Sequence, residues 1–375
     1  MSLLPKGRPL RSATLDDVGR AAGVSKTAVA AVLNRPHPPW PVSRATRERI
    51  LTAAATLQYR PNGAARALAH RRMQALGVVV AGELNDYSFE VLNGILAAAT
   101  RRGQNMTVFT LNDWSRDAAR LRDFSDGLVD GLILLAPTFD RSDAVHAERI
   151  PFVTIHANCG IPGVVNIETD EERGACALVR HLIALGHRRI MHLTGPVGLT
   201  GTERRSRGYR RALVDAGIPL DPQLQLTAGY TSGQGRQAMS GWLQQHPGEL
   251  LPQAVFCAND ACALGCLEAF AEVGLRAPDD VSIAGFDDTF AARVSLPQLT
   301  SVHQPLAEMG ARAVELLLAR IDRRGVASRA VPRPVVFPVE VVPRASVGAP
   351  PTAGRVVPIT PSGAASCRVP KRFRA

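Results

Sequence analysis

From Leu76 onward, short apolar runs rich in β-branched residues alternate with helical stretches: LGVVVAG, MTVFTL, GLILLAP, PFVTIH, IMHLTG, AVFCAND and VSIAGFDD. Strand–helix alternation implies a parallel sheet with helices on both faces. About ten such runs are too many for one compact sheet, so two stacked α/β subdomains are expected.

The chain ahead of Leu76 has another rhythm. In TLDDVGRAAGVSKTAVAAVLN, running from Thr14 to Asn34, two short helical patterns meet at a glycine. Thr14 is placed to cap the first, with Asp16 and Asp17 in its first turn and Leu15, Val18, Ala21 and Ala22 at helical spacing. Gly23 stops it. Ser25 caps the second, which runs Ala28, Val29, Val32 and Leu33 along one face. The prolines of Arg35–Pro41 forbid helix. A third helix follows, capped by Ser43, with Ile50, Leu51, Ala54 and Leu57 facing inward. Helix, glycine turn, helix and a third packing helix is the helix-turn-helix arrangement, which inserts its second helix into a major groove.

Charge agrees with that division. Residues 1–75 hold thirteen Lys and Arg against three Asp and Glu; residues 345–375 hold five basic residues and no acid. Between them, twenty-six basic residues face thirty acidic ones. A polyanion-binding head on a mildly acidic body is the implied design. The length, 375 residues, suits two or three domains. No apolar run approaches the ~20 residues of a membrane span. Residues 1–20 lack the apolar core of a signal peptide, and six scattered cysteines suggest reduced thiols, so a cytoplasmic protein is expected. Cys257, Cys262 and Cys266 match no zinc spacing; with His181, His187 and His192 they are read as structural, and no metal or other cofactor is expected. The sequence has no GxxxxGK[ST], GxSxG or HExxH motif, and no enzyme activity is expected.

TLDDVGRAAGVSKTAVAAVLN, VSRATRERI and YRPNGAARAL resemble the DNA-binding head of the lactose/galactose repressor family. The body continues the resemblance with VDGLILLAP, HLIALGHRRI, RRSRGYRRALVDAGI, AVFCANDACALG, VSIAGFDD and LTSVHQPLAEMGARAVELLL, over roughly residues 14–344 and in the family's order. The implied fold is an all-α helix-turn-helix head (12–60), a hinge helix and linker (61–74), and a periplasmic-binding-protein-like effector domain (75–344). The expected subdomains are 75–168 with 300–330, and 169–299 with 331–344. Residues 345–375 are read as a disordered basic tail. The implied function is a transcriptional repressor, homodimeric on a pseudo-palindromic operator, controlled by a small-molecule effector of the sugar class.

The resemblance implies base reading by Lys26, Thr27 and Ala31, and further DNA contacts by Thr14, Ser25, Asn34, Arg35, Tyr59, Asn62 and Arg66. Leu68 stands where the family's hinge helix wedges a leucine into the minor groove. The chain departs from the family at Ala30 and Ala31, where the pattern is Ser followed by a hydrogen-bonding residue, so the reading concentrates on Lys26 and Thr27.

Ligands of open α/β sheets bind beyond the carboxyl ends of the strands. The polar and aromatic residues there are Glu83, Asn85, Tyr87, Phe89, Asn259, Asp287 and Gln304, while Asp260 and Asp288 are assigned mainly to caps and turns. The resemblance adds Arg205 and Asp170 to the effector contacts. Arg204, Arg207, Arg210 and Arg211 are read as a solvated helix face. The other readings are a periplasmic-type sugar-binding protein and an enzyme. The basic head and the absent export signal oppose the first; the lack of a catalytic constellation opposes the second. No heptad repeat near the C-terminus suggests a coiled-coil tetramer.

Overall fold

The computed structural model describes residues 13–34, 42–59, 72–111, 128–135, 150–157, 161–323, 332–351 and 354–358. The chain divides between Gln74 and Ala75 into two compact units.

Among its described residues, the first unit contains three helices, α1 (Leu15–Ala22), α2 (Lys26–Asn34) and α3 (Arg44–Thr56). Thr14 and Asp17 form a capping box at the start of α1, and Gly23 ends it with φ +65°, a conformation that only glycine adopts without cost. Ser25 Oγ accepts from Ala28 N at 3.3 Å, capping α2, and Ser43 caps α3. Val18, Ala22, Val29, Val32, Ile50, Ala53 and Ala54 form the shared core. Of the residues expected inside α3, Leu51 and Leu57 are exposed instead, and Ala53 takes the inner face. A thirteen-residue helix against two short partners buries only a narrow stripe.

The second unit is two parallel sheets. The first has six strands in the order β11-β5-β4-β3-β1-β2: β1 (Ala75–Ala81), β2 (Asn105–Leu111), β3 (Gly131–Leu135), β4 (Phe152–Ile155), β5 (Asn166–Thr169) and β11 (Val335–Phe337). Central β1 and β3 are buried on both faces, which explains their unbroken apolar runs. Helices α4 (Asp86–Arg101) and α10 (Leu306–Asp322) pack on it, and against each other at near-backbone contact. A Cβ on Gly94 would meet Ala307 O at 1.9 Å, and one on Gly310 would meet Val91 O at 2.3 Å.

The second sheet, β7-β6-β8-β9, is built from β6 (Ile190–Thr194), β7 (Gln225–Thr227), β8 (Ala254–Cys257) and β9 (Ser282–Ala284). Its faces are covered by α5 (Glu171–Ala184) with α6 (Thr200–Asp215), and by α7 (Ser232–Gln245) with α8 (Asp260–Glu272). Cys257, Cys262 and Cys266 are buried, unbonded thiols in the second of these layers.

The subdomain boundaries differ from the sequence reading. Strand β10 (Ser301–His303) pairs with β12 (Glu340–Val342), and Thr300 and His303 bridge Ala284 and Asp287, so it belongs with the second sheet. Strand β11 returns to the first sheet beside β5. These strands are three residues long, too short for periodicity to assign.

The tail also differs. Residues 345–351 and 354–358 run as a strap across the second subdomain. Ser346 is fully buried, its Oγ donating to Ile283 O at 2.6 Å and accepting from Thr300 N at 2.8 Å. Val356 bridges Leu250, Val357 enters the core, and Arg355 pairs with Asp280 at 2.9 Å. The apolar residues that anchor the strap, Val347 and the pair Val356–Val357, stand among prolines and glycines, too few for any periodic pattern. Residues 359–375 lie outside the described residues. Because Val357 is a core residue, V357A is expected to cost about 1–2 kcal/mol and to lower the unfolding midpoint in urea, while a stop after Arg344 costs more. Unchanged midpoints in both would make the strap a passive surface segment.

Candidate functional site

In the head, Lys26 and Thr27 open α2 on its exposed face. Ala31, one helical turn beyond Thr27 and on the same side of α2, is only 4% exposed. The hydroxyls of Thr14 and Ser25 are taken up by capping, and Tyr59 packs half-buried against the head core. Hydrogen bonds from the Thr14 hydroxyl and backbone pull the Asp17 carboxyl down to about 2, so it remains an anion beside Arg20. Lys26 Nζ lies 2.9 Å from Asp16 Oδ2. Asn34 is described only as the last residue of α2; Arg35, Asn62, Arg66 and Leu68 lie outside the described residues.

In the second unit, the carboxyl ends of both sheets enclose a cavity of about 330 Å³. Of the expected effector contacts, Glu83, Tyr87, Arg205, Asn259 and Asp287 line it, as does Asn85. Phe89 does not. It lies two residues beyond Tyr87, about 200° around the helix, and is 51% exposed. Asp170 does not either, because its carboxylate caps α5 by accepting from Arg173 N at 3.2 Å. Gln304 sits behind the wall, donating from Nε2 to Asp287 Oδ1 at 2.6 Å and accepting from Thr169 Oγ1.

The wall contains residues that the sequence reading missed: His156, Glu168, Glu171 and Tyr230. Glu168 lies one residue before the end of β5 and Glu171 begins α5, so the first chain crossing between the sheets delivers two carboxylates to the cleft. Arg204, expected on a solvated face, lines the cavity and donates to Glu168 Oε1 at 3.0 Å.

Arg205 is the centre of a buried network. Its Nε and Nη2 donate to Glu171 Oε1 at 3.1 and 2.7 Å, and its Nη1 donates to Ala258 O. Asp287 Oδ1 is 3.7 Å from Nη2, and the guanidinium lies 4.0 Å over the Phe286 ring. Burial opposes ionisation of Glu171, but the Arg205 charge outweighs it and holds the carboxyl below its usual range. Asp287, with φ +109°, is pushed the other way by burial despite Arg205. Asp260, fully buried and facing the Asp287 charge, is raised as well. It is not the cap of α8: Asn259 is, through Cys262 N at 2.9 Å. Asp260 instead accepts from Thr289 N at 2.7 Å and Ser301 Oγ at 2.6 Å, fastening α8 to the loop that carries Asp287. Asp288 accepts from Arg344 at 2.6 Å and pairs with His303 at 3.0 Å.

Tyr87 and His156 share a 2.9 Å hydrogen bond across the first-sheet wall. Burial lowers the affinity of His156 for a proton and raises that of the Tyr87 phenolate, so both are neutral at pH 7. The chemistry offered is that of a binding cleft: carboxylates, amides and hydroxyls over an apolar floor of Val80, Leu135 and Ile155. His192 is pushed down to about 4 by burial and stacks on Phe256 away from the cavity. Among the described residues, no group of three His, Cys, Asp or Glu side chains has the arrangement of a metal site, and no helix is long and apolar enough to cross a membrane.

The model of bacterial regulatory proteins of the lacI family matches residues 14–62, and that of the periplasmic-binding-protein-like domain matches residues 179–347. The HTH-type transcriptional repressor PurR of Haemophilus influenzae is 32% identical over 320 residues, covering 83% of this chain and 92% of the relative. PurR of Aliivibrio fischeri is 30% identical over 343 residues, covering 89% and 98%. Among solved structures, the lac repressor dimer bound to operator and the anti-inducer ONPF superposes with a TM-score of 0.78 at 28% identity, covering 90% of this chain and all of that one. The complex of the transcriptional regulator CelR with cellobiose does so at 0.65 and 29%, with the same coverage. The ordered head, the two-sheet body and these relatives together place the chain in the LacI family of DNA-binding transcriptional regulators.

Proposed function

We propose that this protein is a dimeric repressor whose grip on a two-fold operator is set by a polyhydroxylated effector, of the sugar class, held between the two sheets. The observation that carries the reading is the cleft wall. Glu168, Glu171 and Asp287 supply carboxylate acceptors, Tyr87 and Tyr230 supply hydroxyls on flat rings, and an apolar floor suits the C–H face of a sugar. One solved relative is a cellobiose complex, which supports the same class. The cleft draws on both sheets, so a ligand that touches both favours one angle between them. That is the differential contact an allosteric effector requires.

The dimer is supported by the lac repressor relative and by exposed apolar side chains on the body. Phe290, Val294 and Leu296 protrude from the segment around the short helix α9 (Phe290–Val294). Arg293 of α9 donates to Glu90 of α4 at 2.6 Å, which ties this segment to the first subdomain.

Selection of bound fragments from genomic DNA supplies the operator, and a panel of mono- and disaccharides is then scored by thermal shift and by operator affinity. At least one sugar is expected to raise the unfolding temperature and change operator affinity about 5- to 150-fold. E168Q and Y230A are expected to weaken that response while leaving effector-free operator affinity within twofold. A response to nucleobases and to no carbohydrate would overturn the sugar class and leave the cleft as the effector site.

A further inference from the structure

Lys26 is the only charged residue of α2, and it sits at the helix's first position. The positive end of the helix dipole repels an ammonium there. Asp16, in the first turn of α1, holds it: Oδ2 is 2.9 Å from Nζ, with both side chains largely in solvent. The neighbouring acid is not available for this, since Asp17 is engaged by Thr14 and Arg20. The frame is fixed as well. A Cβ on Gly19 would come within 2.9 Å of Val24 O, so α1 abuts the turn closely and the two helices present Asp16 and Lys26 at a set spacing.

We propose that Asp16 is a positioning residue for Lys26 and thereby determines base specificity at one position of each half-site. The proposal rests on the reading that α2 enters the major groove. A lysine on a flexible four-carbon stem goes to the nearest phosphate, which gives affinity without sequence information. A carboxylate beside it cancels much of its pull on phosphate and repels phosphate directly. The remaining ammonium protons stay free for a guanine O6 or N7. The aim of this one ammonium matters because Lys26 and Thr27 carry the only polar side chains in the first two turns of the helix. Ala30 has no polar group, and Ala31 is buried.

The test uses the full-length protein, D16N, D16E, K26M and the D16N/K26M double variant. Each is taken through selection from a random duplex pool, followed by salt titration on the selected site and on random duplex. The wild type is expected to enrich a half-site with one strongly preferred base pair that K26M loses. D16N is expected to relax preference at that same position and, by freeing a cation for phosphate, to steepen the slope of log K against log salt by about 1. D16E, which keeps the charge and its place near the α1 dipole, is expected to retain wild-type preference and slope. The double variant is expected to match K26M. A D16N protein with wild-type preference and slope overturns the proposal, and so does an altered preference that persists in the K26M background. A wild type that enriches no sequence overturns the groove reading itself, and the proposal with it.

Discussion

Arg205→Ala is expected to destabilise the effector domain by about 3–5 kcal/mol, the cost of leaving buried carboxylates without their cation. Glu171 and Asp287 both face this guanidinium, and all three side chains are at most 7% exposed. The carbonyl of Ala258 loses its donor at the same time. Urea unfolding followed by tryptophan fluorescence measures the effect, as a fall in midpoint at unchanged slope. The partner variants give the sign of each contribution. E171Q alone loses the ion pair but keeps a hydrogen-bonding side chain, and should cost less than R205A. Adding E171Q to R205A removes one of the two orphaned charges, so the double variant should be more stable than R205A. If R205A unfolds like the wild type and loses only its effector response, Arg205 is a ligand donor and the network is incidental.

That expectation marks where sequence and structure diverge. The motif around Arg205 located it at the cleft, and the cleft is where it lies. Nothing in RRSRGY distinguishes a guanidinium that waits for a ligand from one already saturated by protein, because the partners come from Glu171 and Asp287, far along the chain. The central strands were legible because burial on both faces demands unbroken apolar runs. Strand β5 was not, for its sequence is Asn-Ile-Glu-Thr, yet all four residues are buried. Its polar side chains are satisfied locally, Asn166 with Thr154 at 3.0 Å and with Glu168 at 2.9 Å. A strand stabilised this way gives no hydrophobic signal, and missing it meant missing Glu168 and Glu171 at its end. Phe89 failed for a different reason. Phe89 follows Tyr87 by two residues, and the helical repeat sends the two side chains to opposite sides of α4. The same exposure that removes Phe89 from the effector site leaves it free for another use, as it does the apolar side chains around α9.

That use carries the second large effect. The F290D/L296D double variant is expected to be monomeric at micromolar concentration and to lose operator affinity by about 10²- to 10⁴-fold. Leu296 is 93% exposed and Phe290 is 64% exposed, with Val294 between them at 55%. Large apolar side chains gathered this closely on a surface mark an interaction site. A two-fold dimer brings each such patch against its own copy, so one substitution is felt twice, and two carboxylates placed in a desolvated centre repel their symmetry mates. Operator affinity falls because a head on a monomer binds its half-site alone, without the effective concentration that the partner supplies. Half-site binding should therefore be unchanged, and this separates loss of pairing from damage to the head. Sedimentation equilibrium reads the mass, and titration of full and half operators reads the affinity. A variant that sediments as the wild-type dimer would move the subunit interface elsewhere on the body; a monomer that still binds the full operator at wild-type affinity would mean that the two heads never cooperated through it.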